Sequence, residues 1–278
     1  MKKLTIGMAV YDDYDGVYFT IQAIRMYHRE ILEDIEFIIV DNSPYTESGL
    51  LTKNFTNSLR EPFQYIPFSD YSSTALRNII FKESRTPYTL CMDCHVLLTP
   101  GSLSKLIKYY DNNLDNGNLL QGPLIYDDMQ HVSTHFNRVW GDYMEGQWAT
   151  DPRYQNSNSQ PFEIEGQGMG LFTCRTDSWL GFNDNFRGFG GEEIYIHDKY
   201  KAHGKKTICL PFLGWLHRFG RVGGTRYRND LLDRYRNYLI GYTELNKNTD
   251  IIESVFKDVG TEQHREIIRS EVKKLFSK

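Results

Sequence analysis

Apolar residues run almost unbroken through Leu4-Thr5-Ile6-Gly7-Met8-Ala9-Val10, which predicts a buried strand ending in the polar turn Asp12 to Gly16. Val17, Ile21, Ile24 and Tyr27 then recur at helical spacing as far as Arg29, and Ile35 to Val40 supplies a second strand, apolar except for Glu36. Strand, helix, nearly all-apolar strand opens an α/β fold with a central, mostly parallel sheet and helices on both faces. The second strand stops at Asp41-Asn42-Ser43-Pro44, where the proline turns the chain.

Beyond a mixed stretch without a period, Thr74 to Glu83 predicts a helix, and Tyr88 to Met92 a strand running directly into Asp93-Cys94-His95. Pro100 to Tyr110 reads as a helix with proline in its first turn. Asn112 to Asn118 reads as a polar loop and Leu119 to Ile125 as one strand. From Tyr126 to Pro161 periodicity fails over more residues than a connecting loop uses, so a functional insertion or partly mobile lid is expected. Phe162 to Cys174 is glycine-rich strand material. A helix from about Glu192 to His203, a strand at Lys206 to Leu210, and amphipathic helices at about Asn229 to Thr243 and Glu262 to Phe276 follow. Nothing repeats, and no low-complexity linker divides the chain.

Composition narrows the classes. The chain has 278 residues, and 32 Lys plus Arg against 36 Asp plus Glu leave a net charge of −4, so the overall charge gives no footprint for non-specific nucleic-acid binding and leaves only a local basic patch open. No apolar run approaches a membrane span, and the chain passes from two lysines into a strand without an apolar leader, so a cytoplasmic protein is expected, with peripheral membrane attachment as the alternative. The four cysteines read as free thiols. Aromatic residues make up 14% of the chain, which suits either a large core or surfaces for sugars and bases.

Asp93 and His95, two apart at a strand end, would share one side of an extended chain with Cys94 facing away. Taken alone they fit either half of a divalent-metal site or a capped turn with a partly buried histidine. A Cys91–Cys94 metal or disulfide pair is disfavoured by the same alternation, and a second site at His131 and His135 by the poor helix-forming sequence between them. Asp41 suits a ribose hydroxyl or base N–H, or equally the capping of a loop; Tyr11 fits stacking on a base or packing of its ring under its own loop.

Five segments in order resemble those of a family 2 glycosyltransferase with the GT-A nucleotide-sugar-binding fold. They are Ala9-Val10-Tyr11-Asp12-Asp13, Asp41-Asn42-Ser43, Ala75-Leu76-Arg77-Asn78, Asp93-Cys94-His95 and Phe189-Gly190-Gly191-Glu192-Glu193. The resemblance covers roughly residues 4 to 220. The family's Asp-x-Asp motif has histidine as its second member here. That departure is similar to the polypeptide N-acetylgalactosaminyltransferases, where a distant histidine completes the metal shell, and Trp215-Leu216-His217 offers one. The Gly-Gly-Glu-Glu segment resembles a motif of galactosyl- and N-acetylgalactosaminyltransferases.

The resemblance implies a UDP-sugar donor held by Ala9, Tyr11, Asp13, Asp41, Arg77, Met92, Asp93, Arg218 and Arg221. It also implies a cation on Asp93, His95 and His217, Mn²⁺ ahead of Mg²⁺ because imidazole replaces a carboxylate. Glu193 is the expected base of an inverting transfer to a glycan or other hydroxyl acceptor, and Glu192 an acceptor-binding or framework carboxylate; adjacent helical positions diverge by about 100°. The expected organisation is a catalytic domain over 1–225, with a donor half 1–100 and an acceptor half 101–225, and a helical extension over 226–278 whose amphipathic pattern, outside the resemblance, reads as packed on that domain.

Arg218, Arg221, Arg226 and Arg228 around Gly220, Gly223 and Gly224 fit a loop closing on diphosphate or a solvated basic turn. Tyr126, Trp140, Trp148, Phe182, Phe186 and Trp215 are candidates for an acceptor cleft. A retaining transferase and a nucleotide-sugar-binding protein without transfer remain as alternatives. A nucleotidyltransferase is disfavoured by the lack of an early glycine-rich, basic triphosphate loop.

Overall fold

The computed structural model describes residues 2–112, 117–220 and 224–277. Its first part alternates strand and helix: β1 (Leu4–Val10), α1 (Tyr14–Tyr27), β2 (Ile35–Asp41), α2 (Glu47–Asn57), β3 (Phe63–Pro67), α3 (Arg77–Glu83) and β4 (Tyr88–Met92). Next come β5 (Val96–Leu98), α4 (Ser102–Asn112), β6 (Leu119–Gln121), β7 (Leu124–Ile125), β8 (Val132–Ser133), β9 (His135–Gly141), β10 (Met144–Ala149), β11 (Phe162–Glu163) and β12 (Leu171–Arg175). The last third holds α5 (Glu192–Ala202), β13 (Thr207–Cys209), β14 (Trp215–His217), α6 (Leu231–Glu244), α7 (Asp250–Val255) and α8 (Glu262–Leu275).

One eight-stranded sheet runs β11-β13-β6-β12-β4-β1-β2-β3. Strands β3, β2, β1 and β4 are mutually parallel, and β12 lies antiparallel between β4 and β6. Alternation along the central strands splits the core in two. Leu4, Ile6, Met8 and Val10 of β1 pack with Ile35, Phe37 and Ile39 of β2 under α1 and α4. Ile38 and Val40 face the other way, with α3, α5 and α6. Gly7 lies on that second face because α3 crosses too closely for any side chain: a Cβ there would sit 2.0 Å from Ile80 Cγ2.

The strand expected over Leu119 to Ile125 is two strands in two sheets. β6 belongs to the main sheet, while β7 joins the four-stranded sheet β5-β14-β7-β8, and Gly122-Pro123 makes the break. A Cβ on Gly122 would stand 1.8 Å from the Leu213 carbonyl, and proline cannot donate to a ladder. The segment 126–161, expected as an insertion or partly mobile lid, contains the hairpin β9–β10, closed by Asp142 and Tyr143 at φ 47° and 60°. Arg138 ties that hairpin to Asp198 of α5 at 2.8 and 3.0 Å, and Tyr238 and Tyr242 of α6 bond Glu145. Elements α2 and β3 fill the stretch left unassigned by periodicity. Of the loop expected at 112–118, residues 113–116 lie outside the described residues.

All four cysteines are buried and unpaired with one another. Among the described residues no helix is long and apolar enough to cross a membrane.

Candidate active site

The parallel pairing of β1, β2 and β4 brings their carboxyl ends to one edge, with Val10 opposite Asp41 and Met8 opposite Met92. Tyr11 and Asp13 after β1, Asn42 after β2 and Asp93 after β4 therefore converge on a cavity of about 320 Å³, whose lining also includes Ala9, Arg77, His95, Glu192, Glu193 and His217.

Asp93 leaves β4 anchored through its backbone N–H to the Gly170 carbonyl at 2.9 Å. The next two residues turn instead of continuing extended, so His95 reaches the cavity by the turn and not by strand alternation. The same turn corrects the placement of Cys94: its Sγ lies 3.6 Å from Asp13 Oδ2 and 3.5 Å from His95 Nδ1, on the side of the site. β14 pairs antiparallel with β5, His217 opposite Val96, which sets the second imidazole beside the first. His95 Nε2 and His217 Nε2 are 3.2 Å apart, and Asp93 Oδ2 is 3.9 Å from the former and 3.4 Å from the latter. Burial alone would raise the Asp93 pKa, but Arg77, with smaller contributions from His217 and His95, holds it well below the usual carboxylate range.

This donor set fits a divalent cation. Metal–nitrogen and metal–oxygen bonds of about 2.1 Å put neighbouring ligand atoms about 3.0 to 3.5 Å apart, close to the spacing here. His95 Nδ1 bonds Asp13 Oδ2 at 3.0 Å, and the buried His217 Nδ1 has no hydrogen-bond partner among the described residues. Two imidazoles and one carboxylate suit Mn²⁺ better than Mg²⁺, which prefers an all-oxygen shell.

Gly190 and Gly191, at φ 99° and 89°, aim the start of α5 at the cavity. Asn237 of α6 braces this turn: its amide nitrogen donates to the carbonyls of Arg187 at 2.7 Å and Gly190 at 2.9 Å, and its oxygen accepts from Arg187 N at 3.0 Å. Both Glu192 and Glu193 line the cavity, since the helix presents its end and not its flank. Their jobs still differ. Glu192 accepts from Gly190 N at 3.0 Å and stands 3.9 Å from Arg77, whereas the Glu193 carboxylate makes no hydrogen bond to another described side chain. Burial pushes both acids up, Glu192 further because Glu193 is beside it.

Several expected donor contacts are placed elsewhere. Met92 is wholly inside the first core, because β4 points it away from the cavity. Asp41 is fully buried and outside the lining: Oδ2 accepts from Tyr65 Oη at 2.7 Å, and Oδ1 from Ser43 N at 2.8 Å and Ser43 Oγ at 3.2 Å. Arg218 reaches Asp13 Oδ1 at 3.0 Å, Arg226 reaches Asp12, and Arg228 borders the cavity; Arg221 and Gly223 lie outside the described residues. Of the six aromatic candidates, Trp148 and Trp215 line the cavity. Phe182 and Phe186 belong to the second core, Trp140 packs on Tyr238 at 4.8 Å, and Tyr126 stacks on Phe219 at 5.2 Å. His131 and His135 find separate partners, Asp128 and Thr134.

Sequence reasoning missed the wall formed by Asn42 and Ser72 to Thr74. Ser73 caps the turn into Thr74 through Ala75 N at 3.0 Å, and Gly188 N bonds the Ser72 carbonyl at 2.8 Å, tying this wall to the glutamate segment. The one available signal was serine as a helix N-cap ahead of Thr74.

A model of the family described as "Glycosyl transferase family 2" matches residues 5–177. No curated protein matches the chain. Among solved structures, GalNAc-T7 with UDP, GalNAc and Mn²⁺ aligns with a TM-score of 0.67 at 11% identity, over 100% of this chain and 58% of that one. S. aureus TarS 1-349 aligns at TM-score 0.56 and 11% identity, over 99% of this chain and 75% of that one. The same TarS segment in complex with UDP-GlcNAc aligns at 0.56 and 12%, over 99% and 76%. The chain thus spans little more than half the length of the GalNAc-T7 structure. At these identities the likeness establishes the fold, the GT-A architecture of a mostly parallel sheet flanked by helices.

Proposed function

The chain belongs to glycosyl transferase family 2, and from that membership we propose that it transfers a sugar from a UDP-sugar to a hydroxyl acceptor, with inversion at the anomeric carbon. The observation that carries the reading is the meeting, in one cavity, of a carboxylate, two facing imidazole nitrogens and two buried glutamates. Asp93, His95 and His217 would hold Mn²⁺, or less favourably Mg²⁺, and the cation supplies Lewis-acid neutralisation of charge on the leaving diphosphate. The alignments with structures that carry UDP, GalNAc and Mn²⁺ or UDP-GlcNAc support the choice of donor class.

The chain's own residues do the rest. Ala9, Tyr11, Asn42 and Ser72 to Thr74 would form the wall offered to the nucleoside, and Arg228, which borders the cavity, would face the diphosphate. Glu193, whose carboxylate bonds no other described side chain, takes the proton of the acceptor hydroxyl while that oxygen bonds the anomeric carbon. The bond from that carbon to the diphosphate oxygen breaks, and its electron pair leaves on UDP. Glu192, held by Gly190 and facing Arg77, orients the acceptor.

Titration calorimetry of UDP with and without Mn²⁺ tests this reading. Binding should tighten when Mn²⁺ is present, and His217→Ala should remove that gain while leaving the fold intact. UDP affinity indifferent to Mn²⁺ in the unaltered protein would sink the cation assignment.

A further inference from the structure

Asp13 was expected to touch the donor. Its carboxylate is instead surrounded by donors from the protein. Oδ1 accepts from Gly16 N at 3.1 Å, as the N-cap of α1, and from Arg218 Nη2 at 3.0 Å. Oδ2 lies 3.0 Å from His95 Nδ1 and 3.6 Å from Cys94 Sγ. The packing leaves this arrangement little play: a Cβ on Gly16 would stand 2.9 Å from the Asp13 carboxylate and 2.8 Å from the Cys94 carbonyl.

We propose that Asp13 is a positioning residue that locks His95 in the tautomer able to bind a cation. An ionised carboxylate only accepts hydrogen bonds, so the proton of the shared contact belongs to His95 Nδ1. A neutral imidazole with its proton on Nδ1 has its lone pair on Nε2, the atom facing His217 Nε2 and Asp93 Oδ2. His217 has no such lock, since its Nδ1 is buried without a hydrogen-bond partner among the described residues. The site is therefore asymmetric, with one imidazole fixed in advance and one free to adapt. Arg218 also acts through Asp13, holding its other oxygen in place so that Oδ2 stays on the imidazole.

The inference rests on the cation site proposed above, and two readouts separate the failure of one from the failure of the other. The first is the side-chain ¹⁵N spectrum of the metal-free, labelled protein, in which the His95 signals are those lost in His95→Gln. The unaltered protein should show His95 protonated at Nδ1; an Nε2-protonated ring overturns the proposal whatever any variant does. In Asp13→Asn the cap survives, because Asn caps as well as Asp. With its oxygen on Gly16 and Arg218, the new amide nitrogen faces His95 Nδ1 as a donor and should move the ring toward the opposite tautomer.

The second readout is Mn²⁺ affinity by calorimetry, without any donor. It should weaken about 10- to 100-fold in Asp13→Asn. Unchanged affinity, or an unchanged His95 tautomer, in a folded Asp13→Asn protein overturns the positioning role alone. Absence of Mn²⁺ binding to the unaltered protein overturns the cation reading, and the positioning role with it.

Discussion

Arg77 donates to Asp93 across 2.7 Å, with a tenth of its own side chain and a fifth of its partner's open to solvent. Its other terminal nitrogen lies 3.9 Å from Glu192. One guanidinium thus stands between the cation site and the glutamate pair, and it is the charge that allows acids to crowd the cavity. Removing one member of a buried ion pair strands the other, at a cost of roughly 3–5 kcal/mol. Arg77→Ala should lose about that much stability in urea melts of the metal-free protein. Arg77→Lys should recover only part of it, because a single ammonium cannot face both carboxylates as the planar fork does.

A second charged knot fastens the β9–β10 hairpin. Asp198 accepts both terminal nitrogens of Arg138 and also Lys247 Nζ at 2.6 Å. Burial would raise its pKa, but the bonds to Arg138 and Lys247 win and hold it below the ordinary carboxylate value. Between the folded and unfolded pKa the unfolded chain binds more protons, so this stabilisation is full above about pH 4 and is lost as pH falls through the folded value. Asp198→Asn should be less stable than the unaltered protein at pH 7, and the difference should shrink as pH falls below about 4. Parallel urea melts across that range would reveal a constant offset if the ion pairs contribute nothing.

The central strands were readable because burial on both faces writes an unbroken apolar run, and β1 and β4 fall where that run begins and ends. The motif residues at strand ends were readable for the same reason, since the fold places them there. Partly buried elements were not. β3 alternates Gln64 and Tyr65 at a sheet edge, α2 is rich in Ser, Thr and Asn, and the β9–β10 hairpin is held by ion pairs that leave no period in the sequence. Asp41 and Asn42 show the limit most sharply. Adjacent residues face opposite sides of a strand end, and nothing local says which of two polar neighbours turns inward.

Asp41 consequently supports, from behind, the cavity wall that includes Tyr11 and Asn42. Ser43, held by Asp41, accepts from Asp12 N at 2.7 Å and thereby fixes the loop that carries Tyr11, with Asp12 at φ 50°. Asp41→Asn sets an amide donor against the donors of Tyr65 or Ser43, and an unsatisfied buried group costs about 1–3 kcal/mol. The expected result is a loss of stability of that size in denaturant melts, with UDP affinity changed less than about tenfold. Unchanged stability together with a larger loss of UDP affinity would return Asp41 to direct contact with the nucleotide.

Glu192 and Glu193 should part company when each is neutralised. Burial raises both, and Glu193 raises Glu192 further against the opposing pull of Arg77. A folded pKa above the unfolded one gives a stability contribution that is full below about pH 4.5 and is lost as pH rises through the folded value. Glu192→Gln removes that loss, so the metal-free variant should melt higher than the unaltered protein at pH 8 and match it near pH 4.5. Its turnover should suffer mainly through the acceptor KM. Glu193→Gln should instead lower kcat about 10²- to 10⁴-fold, read as UDP released from a UDP-sugar, with donor affinity nearly unchanged because the amide keeps the shape. The distinction follows from the geometry: the Glu192 carboxylate accepts from Gly190 N, while Glu193 lines the cavity with its carboxylate bonded to no other described side chain. Near-normal kcat in Glu193→Gln, or retained anomeric configuration in the product, would remove Glu193 from the role of base.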